Sequence, residues 1–461
     1  MKSASRTACA HTPTRQAKAC LALVAVLLAA ACAHASGICD EGQCERATAV
    51  VTDASGRIVV AGVSEPPPDW DRYYPTLWRL NNDGTPDLTF GDGGVVLGTT
   101  PGEAVGILIA ADGTLLLPGL SDGRIAIMRC ADDGSAIEPV SESNDGSADS
   151  GVLSGMSMGR SAVIDRNGGI VVVDSGPDGS GTPGQQPLLR RFNPDGTRDV
   201  SFGVSATAPP GEASVRTTSL GIDMTIDEIG RIVVVGRSEA AGSQASAAVW
   251  RINPDGAPDG TFGDGGRVTD FRTELVGYDS AEAVTIDNAG RILVAGRTYL
   301  SAPPDYSPEA EFVAAVGIWC FTSDGEPDES FGDGGRVARS HDSRSTGAAA
   351  IRIDSEGRIV VLSFALDRGF AVLRFMPDGE PDEGFGGDGL SWQAALPVEA
   401  GLIPSALTFD SSERIVLAGS AWGNGFDMAV WRLNLDGTLD RAFGTDGFVS
   451  YDRGAGFGGV R

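Results

Sequence analysis

The chain is 461 residues long and carries 62 acidic against 35 basic side chains, a formal net charge of −27. That excess of negative charge argues against nucleic acid or an anionic membrane as a partner. It fits a soluble, self-repelling monomer, with attraction of cations as the sharper alternative.

The first 35 residues read as a secretory signal peptide. Lys2, Arg6, Arg15 and Lys18 form a basic start without an acidic residue, an apolar run extends from Ala19 to about Ala33, and Ala33-His34-Ala35 is a small-x-small cleavage site. The run is shorter than the ~20 residues a spanning helix needs, so no transmembrane segment is expected. A lipoprotein anchored at Cys32 is the third reading, but Ala29, three positions earlier, makes a poor lipobox. The expected location is secreted, periplasmic or cell-surface. Cleavage after Ala35 leaves 31 basic against 62 acidic residues, a charge of −31.

Residues 36–45 form a short cysteine-containing segment. Cys39 and Cys44, in I-C-D-E-G-Q-C-E, are expected to form a local disulfide in an oxidising compartment. The spacing also suits a metal, yet the mature chain holds one histidine, His341, far away in sequence, so no zinc site is expected. Cys130 and Cys320 fall at strand positions and read as buried thiols.

From residue 46 to 452 one phrase recurs: V-W-R-I-N-P-D-G-A-P-D-G-T-F-G-D-G-G ends at Gly266, L-W-R-L-N-N-D-G-T-P-D-L-T-F-G-D-G-G at Gly94, and V-W-R-L-N-L-D-G-T-L-D-R-A-F-G-T-D-G at Gly447. The central Asp-Gly places glycine at 84, 134, 196, 256, 325, 379 and 437, giving seven copies 50 to 69 residues apart. A period of this size marks an array of small units that share a core. In the copy from Ser219, S-L-G-I-D-M-T-I-D alternates, E-I-G turns, R-I-V-V-V-G is a second strand, S-A-A-V-W-R-I-N a third, and R-V-T-D-F a fourth. The turn after strand one recurs as D-A-S-G-R-I from Asp53, D-E-I-G-R-I from Asp227, D-N-A-G-R-I from Asp287 and D-S-E-G-R-I from Asp354. An Asp that accepts backbone bonds and a glycine at positive φ make this structural punctuation.

Seven four-stranded antiparallel units predict an all-β fold, a seven-bladed β-propeller, with an open β-solenoid as the alternative. Runs such as Ile232-Val233-Val234-Val235 are apolar on both faces, as a blade covered on both sides requires. The chain begins with a first strand near Ala47 and ends with Phe448-Val449-Ser450-Tyr451, before a Gly-rich tail at 453–461. The expectation is that this last strand completes the first blade and clasps the ring, contiguous blades being the other scheme.

With these residues in view, W-R-I-N-P-D-G-A-P-D-G-T-F-G-D-G-G and D-N-A-G-R-I-L-V-A-G resemble the delta-60 repeat of bacterial secreted and surface proteins, over roughly residues 46 to 452. The resemblance implies a propeller-like repeat protein and no shared activity. The second copy departs from it: Ile127-Met128-Arg129-Cys130-Ala131-Asp132-Asp133-Gly134 is followed by no D-x-x-F-G, and the stretch to Gly155 is rich in Ser, Gly and Asp.

Arg79, Arg191, Arg251, Arg374 and Arg432 recur in strand three, and Asp87, Asp199, Asp259, Asp382 and Asp440 just after the Asp-Gly turn. A buried guanidinium must be paired, so each Arg is expected to staple its own Asp, or a neighbouring blade's, in bidentate fashion. Two copies break the pattern, since Arg129 lacks an Asp and Cys320 stands above Asp328. Anion binding by an Arg cluster is the alternative. The N-P-D-G-x-x-D strings read as turns, leaving weakly bound surface calcium as the one cofactor alternative to none.

No catalytic residue is assigned. His341 sits in a polar loop, the G-D-G-G segments precede no helix, and no S-x-D-x-G-x-T-W box occurs. Binding is expected on the ring face that carries the loops between strands two and three, through Trp70, Tyr73 and Tyr74 in copy one, Tyr299 and Tyr306 in copy five, and Trp422 in copy seven. Aromatics beside acids suit an unknown protein or polysaccharide; the plainer use is to pack the loops on the blades. A carboxylate-dependent hydrolase or lyase acting on glycans is the alternative function.

Overall fold

The computed structural model describes residues 44–66, 72–122, 124–140, 161–176, 186–203, 212–214, 218–239, 246–269, 271, 279–301, 313–340, 346–365, 369–392, 402–422, 426–452 and 456–458. They form seven antiparallel sheets arranged as the blades of a β-propeller. Blade 1 is Glu45–Thr52, Ile58–Ser64, Tyr74–Leu80 and Val95–Leu97, each strand paired with the next in sequence. Blades 3 to 6 repeat that order, starting at Ser161, Thr218, Ser280 and Thr346. Blade 7 adds a fifth strand, Gly456–Gly458, outside Phe448–Asp452.

The doubly apolar strands explain the ring. Ile58–Ser64 is buried throughout. Ile58 and Val60 pack into the seam with blade 7, while Val59 and Ala61 pack into the seam with blade 2. Successive residues of a strand point to opposite sheet faces, so each blade contributes to two seams and no blade holds a core of its own. From blade 3 through blade 7 to blade 1 the first strands of adjacent blades lie against one another around the centre. Those of blades 1, 4, 5, 6 and 7 each carry a bulge, at Ala47/Ala49, Gly221/Asp223, Ala281/Ala283, Ala348/Ala350 and Pro404/Ala406.

Ring closure differs from the expected clasp. Phe448–Asp452 pairs with Phe426–Leu433 of its own copy and with Gly456–Gly458, and blade 1 has its own fourth strand in Val95–Leu97. Because the first described strand is an innermost one and blade 7 runs to its own outer strands, no blade is left to complete. The first and last blades meet by blade-on-blade packing, with a parallel bridge from Cys44 to Phe426.

The second copy also forms a blade. Its inner position is split between Gly102–Ala104 and Leu108–Ile109, followed by Leu115–Ser121, Arg124–Cys130 and Ile137–Pro139. The expected fourth strand of copy four shortens to Arg267–Val268, and Phe271 packs into the seam with blade 5.

Candidate functional site

The meander puts the turns after strands one and three on one face of the ring and the loops between strands two and three on the other. The repeated phrase builds the first face. Arg79 Nε donates to Asp87 Oδ2 at 2.8 Å, Arg251 to Asp259 at 2.8 Å, Arg374 to Asp382 at 2.7 Å and Arg432 to Asp440 at 2.8 Å. The guanidinium does not sit on both carboxylate oxygens. The second oxygen of the Asp is held by backbone two residues on, as in Thr89 N to Asp87 Oδ1 at 3.0 Å, so the carboxylate serves the turn and the arginine together.

The free arm of each arginine reaches the next blade. Arg79 Nη1 donates to the carbonyl of Asp132, Arg251 Nη1 to that of Ser323, Arg374 Nη1 to that of Leu435 at 2.6 Å, and Arg432 Nη1 to that of Asn82. The guanidinium carbons lie 4.2–4.6 Å from the ring centroids of Phe90, Phe262, Phe385 and Phe443, the phenylalanines of D-x-x-F-G. Those rings cover the Asp-Gly glycine of the neighbouring blade. A Cβ on Gly84, where φ is +87°, would stand 2.7 Å from Gly444 N and 3.0 Å from the Phe443 ring.

Departures from the phrase have local remedies. Arg191 Nε is 3.6 Å from Asp199 Oδ2, its Nη2 pairs with Asp165, and its Nη1 reaches Pro254 O at 3.0 Å. In blade 5, where Cys320 replaces the arginine, Arg291 comes from the first turn to meet Asp328 at 3.2 Å and Pro377 O at 2.9 Å. Arg291 belongs to a second set that the sequence reading passed over as punctuation. Arg57, Arg231, Arg291, Arg358 and Arg414 each bond the Asp four residues earlier at 2.5–2.8 Å. Arg414 also reaches Asp440 at 2.8 Å. The signal was the R that follows the turn glycine or its substitute in five of the seven copies, Thr114 and Gly169 standing there in the other two. Arg129, whose copy has no Asp, is exposed.

Burial alone would raise the carboxyls of Asp87 and Asp259. Hydrogen bonds from Thr89 and Thr261 and the Arg79 and Arg251 guanidiniums outweigh it and hold both below the usual range. Asp440 is lowered the same way, by the Ala442 N–H and by Arg432 and Arg414 against its burial.

On the loop face, Tyr73 is half-buried under the Arg46 guanidinium, 5.1 Å from its ring centroid. Burial pushes its hydroxyl up to about 12, with Arg46 opposing and Glu65 adding to the rise. Tyr74 begins the third strand of blade 1 opposite Ser64. Trp422 ends the second strand of blade 7 opposite Phe426, which bridges Cys44, so the blade 1 and blade 7 positions are neighbours. Tyr299 lies two blades further back, opposite Ala314 on a longer hairpin. Near the end of that hairpin Leu300 is 50% and Val313 41% exposed. Trp70, Tyr306, Cys39 and His341 lie outside the described residues. Cys44, Cys130 and Cys320 are buried.

The inner strands hold a further set that the sequence did not single out. Ser405 Oγ donates to Ala47 O at 2.7 Å and Thr48 Oγ1 to Ala104 O at 2.8 Å. Asp223 Oδ2 accepts from Val284 N at 3.0 Å, and Glu282 Oε2 from Ala348 N at 2.9 Å. Each spans the seam to the next blade. Glu282 is partly buried, and loss of solvent raises its carboxyl above the ordinary range despite Arg297, the Ser280 hydroxyl and the Ala348 N–H. No group of three or more His, Cys, Asp or Glu among the described residues is placed to hold a metal ion, and no helix there is long and apolar enough to cross a membrane.

Several solved structures are similar to the chain at low identity. A catalytically inactive virginiamycin B lyase from Staphylococcus aureus with quinupristin is 12% identical over 81% of this chain and 91% of its own, at a TM-score of 0.46. Penicillium chrysogenum α-L-arabinanase with arabinobiose is 12% identical over 72% and 93%, at 0.43. Drosophila Plexin A in complex with Semaphorin 1b is 10% identical over 82% and 86%, at 0.40. No curated protein matches the chain. Four stretches, residues 54–90, 178–202, 230–262 and 412–443, match the family model described as "Domain of unknown function (DUF5122) beta-propeller", which supports a β-propeller repeat family for this chain.

Proposed function

We propose that this protein is an exported, non-catalytic binding module of the delta-60 repeat kind, which holds a protein or polysaccharide through the loop face of its propeller. The observation that carries the reading is the division of labour between the two faces. The charged residues of the repeat are spent on turns and seams, as Arg251 is on Asp259, Ser323 and Phe262. What differs between copies lies at the opposite face, in the strand ends that carry Tyr73, Tyr74, Tyr299, Leu300 and Val313. Aromatic rings near carboxylates such as Glu65 and Glu103 suit stacking on sugar rings or on a peptide. Export through the N-terminal leader and a Cys39–Cys44 disulfide complete the proposal, and no cofactor is part of it.

A second reading, a carboxylate-dependent hydrolase or lyase, is favoured by one observation, the partly buried Glu282 carboxyl held above the ordinary range. Its engagement with Ser280 on its own strand and with Ala348 across a seam favours a structural role. Glycan-array and pull-down experiments on the mature protein decide between the readings. Capture that survives Glu282→Gln, without turnover of the captured glycan, supports binding. Turnover that Glu282→Gln abolishes overturns it.

A further inference from the structure

The seams of the ring are unequal. At six of them a backbone N–H in one blade bonds the Asp carbonyl of the next blade's Asp-Gly turn: Gly91 to Asp133, Gly203 to Asp255, Gly263 to Asp324, Gly332 to Asp378, Gly386 to Asp436 and Gly444 to Asp83, at 2.7–3.2 Å. The same six carry the arginine link described above, with Arg291 serving blade 5. Among the described residues the seam between blades 2 and 3 has neither. Copy two contains no F-G glycine to donate, and Arg129, at the stapling position, is exposed.

Among the described residues the packing there is thinner as well. Where other copies press a phenylalanine onto the next blade's glycine, Val140 lies against Gly196. The buried apolar residues of this seam are Leu116, Ile127, Ile170, Val172 and Phe192, whereas each of the other six buries ten or more among the described residues. The inner strand on its blade 2 side, Leu108–Ile109, is short. By contrast the seam between blades 7 and 1, where the first and last blades meet, is densely linked. Arg432 reaches Asn82 Oδ1 at 2.9 Å, Gly444 reaches Asp83 at 2.8 Å, Ser405 reaches Ala47 at 2.7 Å and Thr52 reaches Phe409 at 2.8 Å.

We infer that the ring opens first between blades 2 and 3, and not where its first and last blades meet. The remaining blades then stay joined as one arc, running 3-4-5-6-7-1-2. Opening bares the apolar faces around Ile127, Ile170 and Phe192 as a transient cleft, since the least-linked unit of a structure is the one that opens at lowest cost.

Hydrogen exchange of the full mature chain, resolved by peptide, tests this. Amides of Ile125–Cys130 and Ile170–Val173 are expected to exchange at least tenfold faster than those of Ala47–Thr52 and Ile415–Ala421. Arg432→Ala should raise exchange at the 7–1 seam and leave the 2–3 seam as it was. Earlier exchange at the 7–1 seam in the unaltered protein, or equal rates at both, overturns the inference.

Discussion

Truncation of Arg251 to alanine isolates what one copy of the repeated phrase contributes. The side chain is 1% exposed, holds Asp259 at 2.8 Å, donates to the Ser323 carbonyl of the next blade and lies 4.5 Å from the centroid of Phe262. Each hydrogen bond from a charged group contributes about 1.5–3 kcal/mol. Removing one partner of a buried ion pair costs about 3–5 kcal/mol, largely because the other is left bare. Asp259 would keep Thr261 Oγ1 at 2.6 Å, Thr261 N at 3.0 Å and Arg231 at 3.5 Å, which places the loss near the lower end of that range. The expectation is about 3 kcal/mol, more than a hundredfold in the folding equilibrium. Arg129→Ala, the same substitution at an exposed copy, should stay within about 0.5 kcal/mol. Urea unfolding of the mature proteins, followed by tryptophan fluorescence at a common m-value, measures both. Equal losses for the two variants would refute the seam-staple reasoning.

Acid should loosen the ring. Asp87, Asp259 and Asp440 are held below 3.8 in the fold, so the unfolded chain binds more protons as they titrate; their contribution is complete above about pH 4–5 and is lost as pH falls through the lowered values. Thermal melts should decline below about pH 4, and a flat profile down to pH 2 would contradict this. Gly84→Ala and Gly113→Ala both force alanine to a φ of +87°, but a Cβ meets Gly444 only at Gly84 and has nothing within 4 Å at Gly113. The losses should be about 1–2 kcal/mol for Gly113→Ala and on the order of 3 kcal/mol or more for Gly84→Ala, by chemical denaturation; equal losses would remove the seam from the explanation. Burial pushes the Cys130 and Cys320 thiols up to about 12, so neither should react with a thiol reagent in the native protein. Denaturation without reductant should release two thiols and with reductant four; four without reductant would mean that Cys39 and Cys44 are not bonded.

The architecture was legible in the sequence because one phrase encodes several layers at once. Ile232-Val233-Val234-Val235 announced a strand covered on both faces, and Asp-Gly announced a tight turn. The spacing of Arg251 and Asp259 pointed to a pair within one copy, but the free arm of Arg251 goes to Ser323 in another blade, and no spacing within a copy displays that contact. Arg57 and Arg414 were hidden by their place in turn motifs. Ser405 and Glu282 were hidden because bulges set their direction, and a bulge leaves no mark in the hydrophobic pattern. The clasp failed for a related reason: a terminal strand sequence shows that a strand forms, and its partner depends on which blade lacks one. The loop face stays the least legible part, since Trp70 and Tyr306 belong to segments whose residues follow no repeat.

The central claim is that the repeated phrase builds the ring while recognition belongs to the opposite face. Hydrogen-exchange footprinting of the mature protein with a captured glycan or protein ligand tests it most directly. The account predicts new protection at residues 65–74, 299–301, 313–314 and 421–427, with the turns at 53–57 and 81–94 unchanged. Protection centred on those turns would contradict it.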